Sequence, residues 1–365
     1  KILIIILLLV ISFIGYFSLV GFETKSFNQQ IRENLKKIDK KLDVKLNDVK
    51  IVLDLSNLNI NAKTLGPTIS YNDKLIDIEL IKSDISLINL LNKEFSLSNL
   101  FISTKSVKLK NIIGFYREIN TKNKTQLFIL ENFIGKGFLI ADISLNFDDQ
   151  GNIKDDFKIN GLVKNGSINL LDKKKIDNID FNFESKNKYL DINELNFSYE
   201  KINFISKKIN FKKKNEVVNI EGQIDNNEVS LSKEVIKNIF TPFFDIDIKI
   251  LKFSSKNEFL LKVNNKFKVL NYEIKSLLNL SELYIKNDKN LKNIFPDLKS
   301  EIKLKNHQAE IVYKKDNLSI SGNGDFLIQK NYNEAQYKIQ KIADQYLFDT
   351  KFNFIDNPIN FDFLN

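Results

Sequence analysis

The stretch VKIVLDLSNLNINA, residues 49–62, decides the fold class. Val49, Ile51, Leu53 and Leu55 alternate with Lys50, Val52, Asp54 and Ser56, and after Ser56-Asn57 the phase flips to Leu58, Ile60 and Ala62. A period of two puts alternate residues on opposite faces of an extended chain, so the spacing predicts a strand, a break and a second strand. Gly66-Pro67 supplies turn chemistry, and the alternation returns at Ile76, Ile78 and Leu80. The run 85–91 reads as a strand ending in a short helical turn, because Leu87, Leu90 and Leu91 share a helical face. Phe95 and Leu97, Leu100 and Ile102, and Val107 and Leu109 resume the strand pattern.

The pattern continues over residues 139–147, 157–170, 179–183 and 195–199, then 218–224, 246–250, 259–263, 302–304, 309–313 and 326–328, and it reappears in Ile359-Phe361-Phe363. Helical spacing interrupts it at 232–244 and at 333–346, the latter through Ala335, Ile339, Ile342, Ala343 and Tyr346. At ~12 residues per strand and turn this makes on the order of 25 strands, a sheet up to about 120 Å long. Sheets of that length curl or fold over. No repeat of fixed length is present, which argues against a propeller or a regular solenoid. The expected fold is mostly β, a long curled antiparallel sheet shaped as a groove, with an N-terminal transmembrane helix and a few short helices.

The expected anchor is residues 1–23. From Ile2 through Leu9 and Ile14 to Phe22 there is no charge, and sixteen of these twenty-one positions are Ile, Leu, Val or Phe. At 1.5 Å per residue the run is about 31 Å long, matching a ~30 Å hydrocarbon core. A cleaved signal peptide has a shorter apolar core and a small-residue cleavage site, which Val20-Gly21-Phe22-Glu23 lacks. Lys25, Arg32, Lys36, Lys37, Lys40 and Lys41 follow the span. The positive-inside rule would keep them cytoplasmic, whereas long domains translocate largely regardless of charge; the expectation is an exported domain. Phe27, Ile31, Leu35, Ile38 and Leu42 form one apolar stripe, so residues 24–43 are expected as an amphipathic helix, either capping the first strands or lying on the membrane.

The formal net charge is +9, and Lys supplies all but two of the 55 basic residues. Lysine is spread among Asp and Glu along the chain rather than gathered into a patch with aromatics, which argues against a nucleic-acid partner. There is no Cys, so disulfides, thiolate metal sites and Cys nucleophiles are excluded. His307 is the only histidine; with no nearby Asp, Cys or second His in sequence to form a metal or triad arrangement it is expected at the surface. Asp148-Asp149-Gln150-Gly151-Asn152 lacks the distal Glu of a calcium loop and is expected as a turn. Phosphate-loop, dinucleotide, nucleophile-elbow and zinc-helix motifs are missing from the sequence, so neither an enzyme nor a cofactor is indicated.

An N-terminal span, the strand VKIVLDLSNLNI, a Gly-Pro turn and IDIELIKSDISLINLLNKEFSLSNLFISTKSVKL together resemble the opening of the AsmA-like proteins. Residues 159–211, INGLVKNGSINLLDKKKIDNIDFNFESKNKYLDINELNFSYEKINFISKKINF, look like the β-repeat region of the larger members. The resemblance divides the chain into an N-terminal β region, 44–130, and an elongated groove region, 131–365. It implies a bacterial inner-membrane anchor, a periplasmic β-groove with an apolar interior, and movement of phospholipid toward the outer membrane, with a periplasmic or outer-membrane protein as possible partner. The large bridging members are several times longer. Independently of the family, acyl chains leave a bilayer only where water is excluded, since each exposed CH₂ costs about 0.8 kcal/mol. Ile51, Leu53 and Leu55, running into Ile76, Ile78 and Leu80 and then Phe181 and Phe183, are the candidate lining. A closed sandwich core is the other reading of those residues, and a membrane-tethered scaffold in the cell envelope is the other reading of the function.

Overall fold

The computed structural model describes residues 2–26, 28–91, 97–120, 124–148, 150, 152–170, 174–240, 247–264, 268–287, 292–342 and 345–360. The chain is mostly β, with twenty strands and six helices among the described residues. It divides into two compact units, Lys1–Ile192 and Asn193–Asn365.

The first unit contains α1 (Ile2–Leu19), β1 (Phe22–Thr24), α2 (Asn28–Ile38), β2 (Leu42–Lys45), β3 (Val49–Asp54), β4 (Asn59–Leu65), β5 (Thr68–Tyr71) and β6 (Lys74–Ser86). After them come α3 (Leu87–Leu91), β7 (Leu97–Thr104), β8 (Val107–Lys108), α4 (Leu109–Ile119), α5 (Lys124–Phe133), β9 (Phe138–Asn146), β10 (Lys158–Asn169) and β11 (Lys175–Lys186). Antiparallel pairing runs β1-β3-β4-β6-β7-β9-β10-β11. The first half of β6 pairs instead with β5, and β5 with β2. Beneath α4, Ile76, Ile78 and Val107 form a buried cluster against Ile112 and Phe115.

The division between the units falls within β12 (Tyr189–Tyr199). The second unit continues with β13 (Ile202–Lys214), β14 (Val217–Leu231), α6 (Lys233–Phe240), β15 (Ile248–Asn264), β16 (Val269–Lys286), β17 (Glu301–Lys314), β18 (Asn317–Leu327), β19 (Asn333–Ile342) and β20 (Gln345–Asn353). From β13 to β20 each strand pairs with the next in an antiparallel meander. Asn215 and Asp316 take positive φ in the β13–β14 and β17–β18 hairpins, a conformation that short polar side chains tolerate best after glycine. A buried cluster of Ile202, Leu231, Leu251 and Leu280 packs against Val235 and Ile236 of α6. Neither ladder closes on itself. Among the described residues twenty strands stand where about 25 were expected, and the later ones are long: β15 has 17 residues and β16 has 18.

Four expectations are corrected. The span over 1–23 is not found: α1 has 18 residues, roughly 27 Å at 1.5 Å per residue, and among the described residues no helix is long and apolar enough to cross a membrane. Gly21 stops it, at φ +73 with its N–H bonded to the Tyr16 carbonyl, and Phe22 pairs as a strand residue with Ile51. The amphipathic helix is shorter than 24–43; Leu42 belongs to β2, while Phe27 lies outside the described residues. Arg32 ties α2 to β2, donating from Nε to Asp43 Oδ1 at 2.6 Å, and this guanidinium holds the Asp43 carboxyl below the usual carboxylate range. Leu109 opens a helix rather than continuing a strand: Ile112, Ile113 and Tyr116 repeat its apolar spacing along α4. Residues 333–342 are strand, not helix. A spacing of four, as in Ala335 to Ile339, suits both periods, and pairing with β18 decides between them. Ala343, Phe95, Phe361 and Phe363, and residues 241–244 of the expected 232–244 helix, lie outside the described residues.

Candidate functional site

The register gives the first unit one apolar face and one polar face. Across β3, β4 and β6, Leu53 stands opposite Ile60 and Ile60 opposite Ile85. The row Ile81, Ile102, Ile143 and Ile159 crosses β6, β7, β9 and β10. Val163 then pairs with Phe181, and Gly161 with Phe183, on β10 and β11. Apolar residues thus continue over seven consecutively paired strands, and most of them remain only half-buried. The other face carries Lys63 beside Lys82, Asp84 accepting from Asn99, and Ser103 donating to Asp142 at 2.6 Å.

The candidate lining residues fall in different places on this frame. Ile51 and Leu53 lie on the apolar face, as do Phe181 and Phe183, whose rings are 6.3 Å apart. Leu55 sits in the turn after β3, 47% exposed. Ile76 and Ile78 are on the same face but closed off beneath α4, Ile78 being 2% exposed. A register shift between Ile78 and Leu80 turns Leu80 to the opposite face, where it pairs with Leu65 and Ser103. Of the expected anchor residues, Ile2, Leu9 and Ile14 belong to α1, while Phe22 is in β1.

A second apolar face, which the sequence reading left out of the site, lies in the second unit. Phe211, Ile220, Leu261 and Tyr272 pair in a row across β13 to β16. Ile311, Ile320, Ile339 and Phe348 do so across β17 to β20. Lys275–Glu310 at 2.9 Å and Lys314–Glu273 at 2.8 Å decorate the other side, exposed pairs that contribute little stability. Both faces share a device. Gly161 faces Phe183, Gly222 faces Phe259 and Gly322 faces Tyr337, and a Cβ on each glycine would come within 2.7, 3.1 and 2.7 Å of the ring or its hydroxyl. The aromatic therefore lies over its glycine, lowering the floor of the apolar face at that point.

His307 is buried, 5% exposed, which corrects the surface expectation. Its Nε2 is 3.0 Å from the Asp325 carbonyl and its Nδ1 is 3.4 Å from the Tyr337 hydroxyl. With Nε2–H donating to the carbonyl, Nδ1 accepts from Tyr337 and the ring is satisfied in its neutral form. Burial pushes its pKa below the ordinary histidine value. Asp148 accepts from the backbone of Gln150 and Asn152 at 3.0 and 2.8 Å, as an Asx turn does, while residues 149 and 151 lie outside the described set. Among the described residues no three His, Asp or Glu side chains come together in a group that could hold a metal. Set against family models, curated proteins and solved structures, the chain matches none of them.

Proposed function

We propose that this protein shelters the acyl chains of phospholipids from water on the apolar faces of its sheets, attached to a bilayer through α1, and so serves lipid movement in a bacterial envelope. One observation carries the reading: the register-locked apolar face of the first unit extends over seven paired strands, and most of its residues are only partly buried. A monomeric soluble protein rarely leaves a contiguous apolar patch of more than a few hundred Å² to water. The buried cluster beneath α4 takes in Ile81 and Ile102, and Val163 is buried as well, while Leu53, Ile60, Ile143, Ile159, Phe181 and Phe183 stay partly exposed and are the part offered to hydrocarbon. The AsmA-like resemblance supports the same reading, with the site in a periplasm between inner and outer membrane as what that resemblance implies.

The test is lipid mass spectrometry on the purified chain, together with phospholipid transfer between vesicles. Co-purified phospholipid and transfer activity are expected, with Ile143→Asp and Phe183→Lys each abolishing transfer while far-UV circular dichroism stays unchanged. Lipid-free protein without transfer would overturn the reading. A tethered scaffold is the second reading, favoured by β20, where Leu347, Phe348 and Phe352 are exposed on a strand paired with β19. Such an edge can accept a partner's strand. In that case pull-downs recover a stoichiometric protein and the charged substitutions have no effect.

A further inference from the structure

A cavity of about 570 Å³ lies over the apolar face of the second unit. Leu304 and Phe326, directly paired on β17 and β18, form part of its floor. Its roof is irregular chain, residues 292–299 contributing Phe295 and residues 354–360 contributing Phe354. Buried amides hold that roof in place. Gln329, 0% exposed, accepts from the Asp297 N–H at 3.1 Å and donates from Nε2 to the Pro358 carbonyl at 2.8 Å, so one side chain grips both roof segments. Asn333 Oδ1 accepts from the Ile355 N–H at 2.7 Å, and the Asn360 N–H donates to the Ile294 carbonyl at 2.9 Å.

A roof needed only to cover an apolar floor would collapse onto it, because protein interiors pack densely. Here side-chain hydrogen bonds pin the roof, which meets the floor where the Phe354 ring stands 5.6 Å from that of Phe326, and the space left beside that contact has the size of a ligand pocket. Its lining contains no charged side chain. Among its polar groups, His307 and Tyr337 bond to each other, and His307 also meets the Asp325 carbonyl. A charged headgroup would find no counter-charge inside, whereas a hydrocarbon tail needs none. We propose that this chamber binds a single unbranched hydrocarbon chain whose polar end stays outside. The inference takes its ligand class from the lipid reading above but names a partly roofed site distinct from the open face of the first unit.

The experiment is photo-labelling of the full chain with a palmitic acid analogue bearing a diazirine at its far end, followed by peptide mapping. Label is expected on the peptides carrying Phe295 and Phe354. Ala335→Phe, which fills the chamber from β19, should lower that labelling about tenfold or more, since each displaced methylene changes affinity roughly fourfold. Thr350→Phe on exposed β20 fills the same space and decides the matter if Ala335→Phe does not fold. Phe183→Lys in the first unit should leave the label unchanged, so loss of phospholipid transfer and loss of the chamber are read separately. Label spread evenly over the apolar strands, or unmoved by a folded filling variant, would overturn the proposal.

Discussion

At the scale of single residues, His307 shows how burial turns an ordinary side chain into a pH-sensitive one. Its ring lies against Gly324, where a Cβ would come within 2.3 Å of the imidazole, so a larger residue there would displace it. The groups facing it are the Asp325 carbonyl, the Tyr337 hydroxyl and the apolar chamber, and the one charge that acts on it among the named groups is the Asp325 carboxylate. Burial lowers the folded-state pKa, opposed by the Asp325 carbonyl and by the charge of the Asp325 carboxylate. The unfolded chain takes up a proton below an ordinary pKa of about 6.5, and the folded chain resists it. Stability is therefore fully present above about pH 6.5 and declines as pH falls from there toward the lowered folded value. Urea unfolding between about pH 7.5 and pH 5.5 should show this decline, and His307→Gln should flatten it. Parallel curves for the two proteins would mean that the imidazole is not held neutral.

At the scale of elements, the glycine–aromatic pairs explain how long strands keep an apolar face low and continuous. Gly161 on β10 has the Ile140 carbonyl 2.5 Å and the Phe183 ring 2.7 Å from where a Cβ would stand. Gly161→Ala therefore forces movement of backbone as well as ring and should cost about 1–3 kcal/mol. Phe183→Ala should cost about 3 kcal/mol or less, the ring being only partly buried. The double variant should be milder than the sum by 0.5 kcal/mol or more, about the lower limit for residues in contact. Additive losses in denaturant unfolding would show that ring and glycine do not act together. These pairs also mark the limit of what the sequence discloses. Strands 49–54 and 59–65 were legible because turn residues separate two clean alternations. The face of Leu80 was not, because the bulge after Ile78 reverses the phase without leaving a Gly or Pro as a signal. The cover over Ile78 went unseen for a similar reason: residues 109–119 carry an apolar spacing whose first members extend the preceding strand pattern. The chamber was illegible altogether, since its roof comes from connections that have no period.

At the scale of the whole chain, two features can bring it to a lipid surface, and salt separates them. The net charge of +9 attracts anionic headgroups, but screening shortens that reach to about 3 Å at 1 M salt. The apolar helix α1 exposes Leu8, Leu9, Ile11 and Phe13 and contains no charged residue, and its transfer into hydrocarbon is not screened by salt. If α1 is the attachment, co-sedimentation with neutral and with anionic vesicles should be alike and should persist at 1 M salt. Leu9→Lys removes an exposed apolar side chain whose burial is worth roughly 1.5–3 kcal/mol, so vesicle affinity should fall about tenfold or more. Removing charge from the strands, as in Lys275→Gln with Lys314→Gln, should leave neutral-vesicle binding unchanged. If binding instead disappears at 1 M salt and Leu9→Lys has no effect, the lysine-rich faces make the contact. The acyl chains would then have to reach the sheets without help from α1, and the attachment assigned to that helix would be wrong.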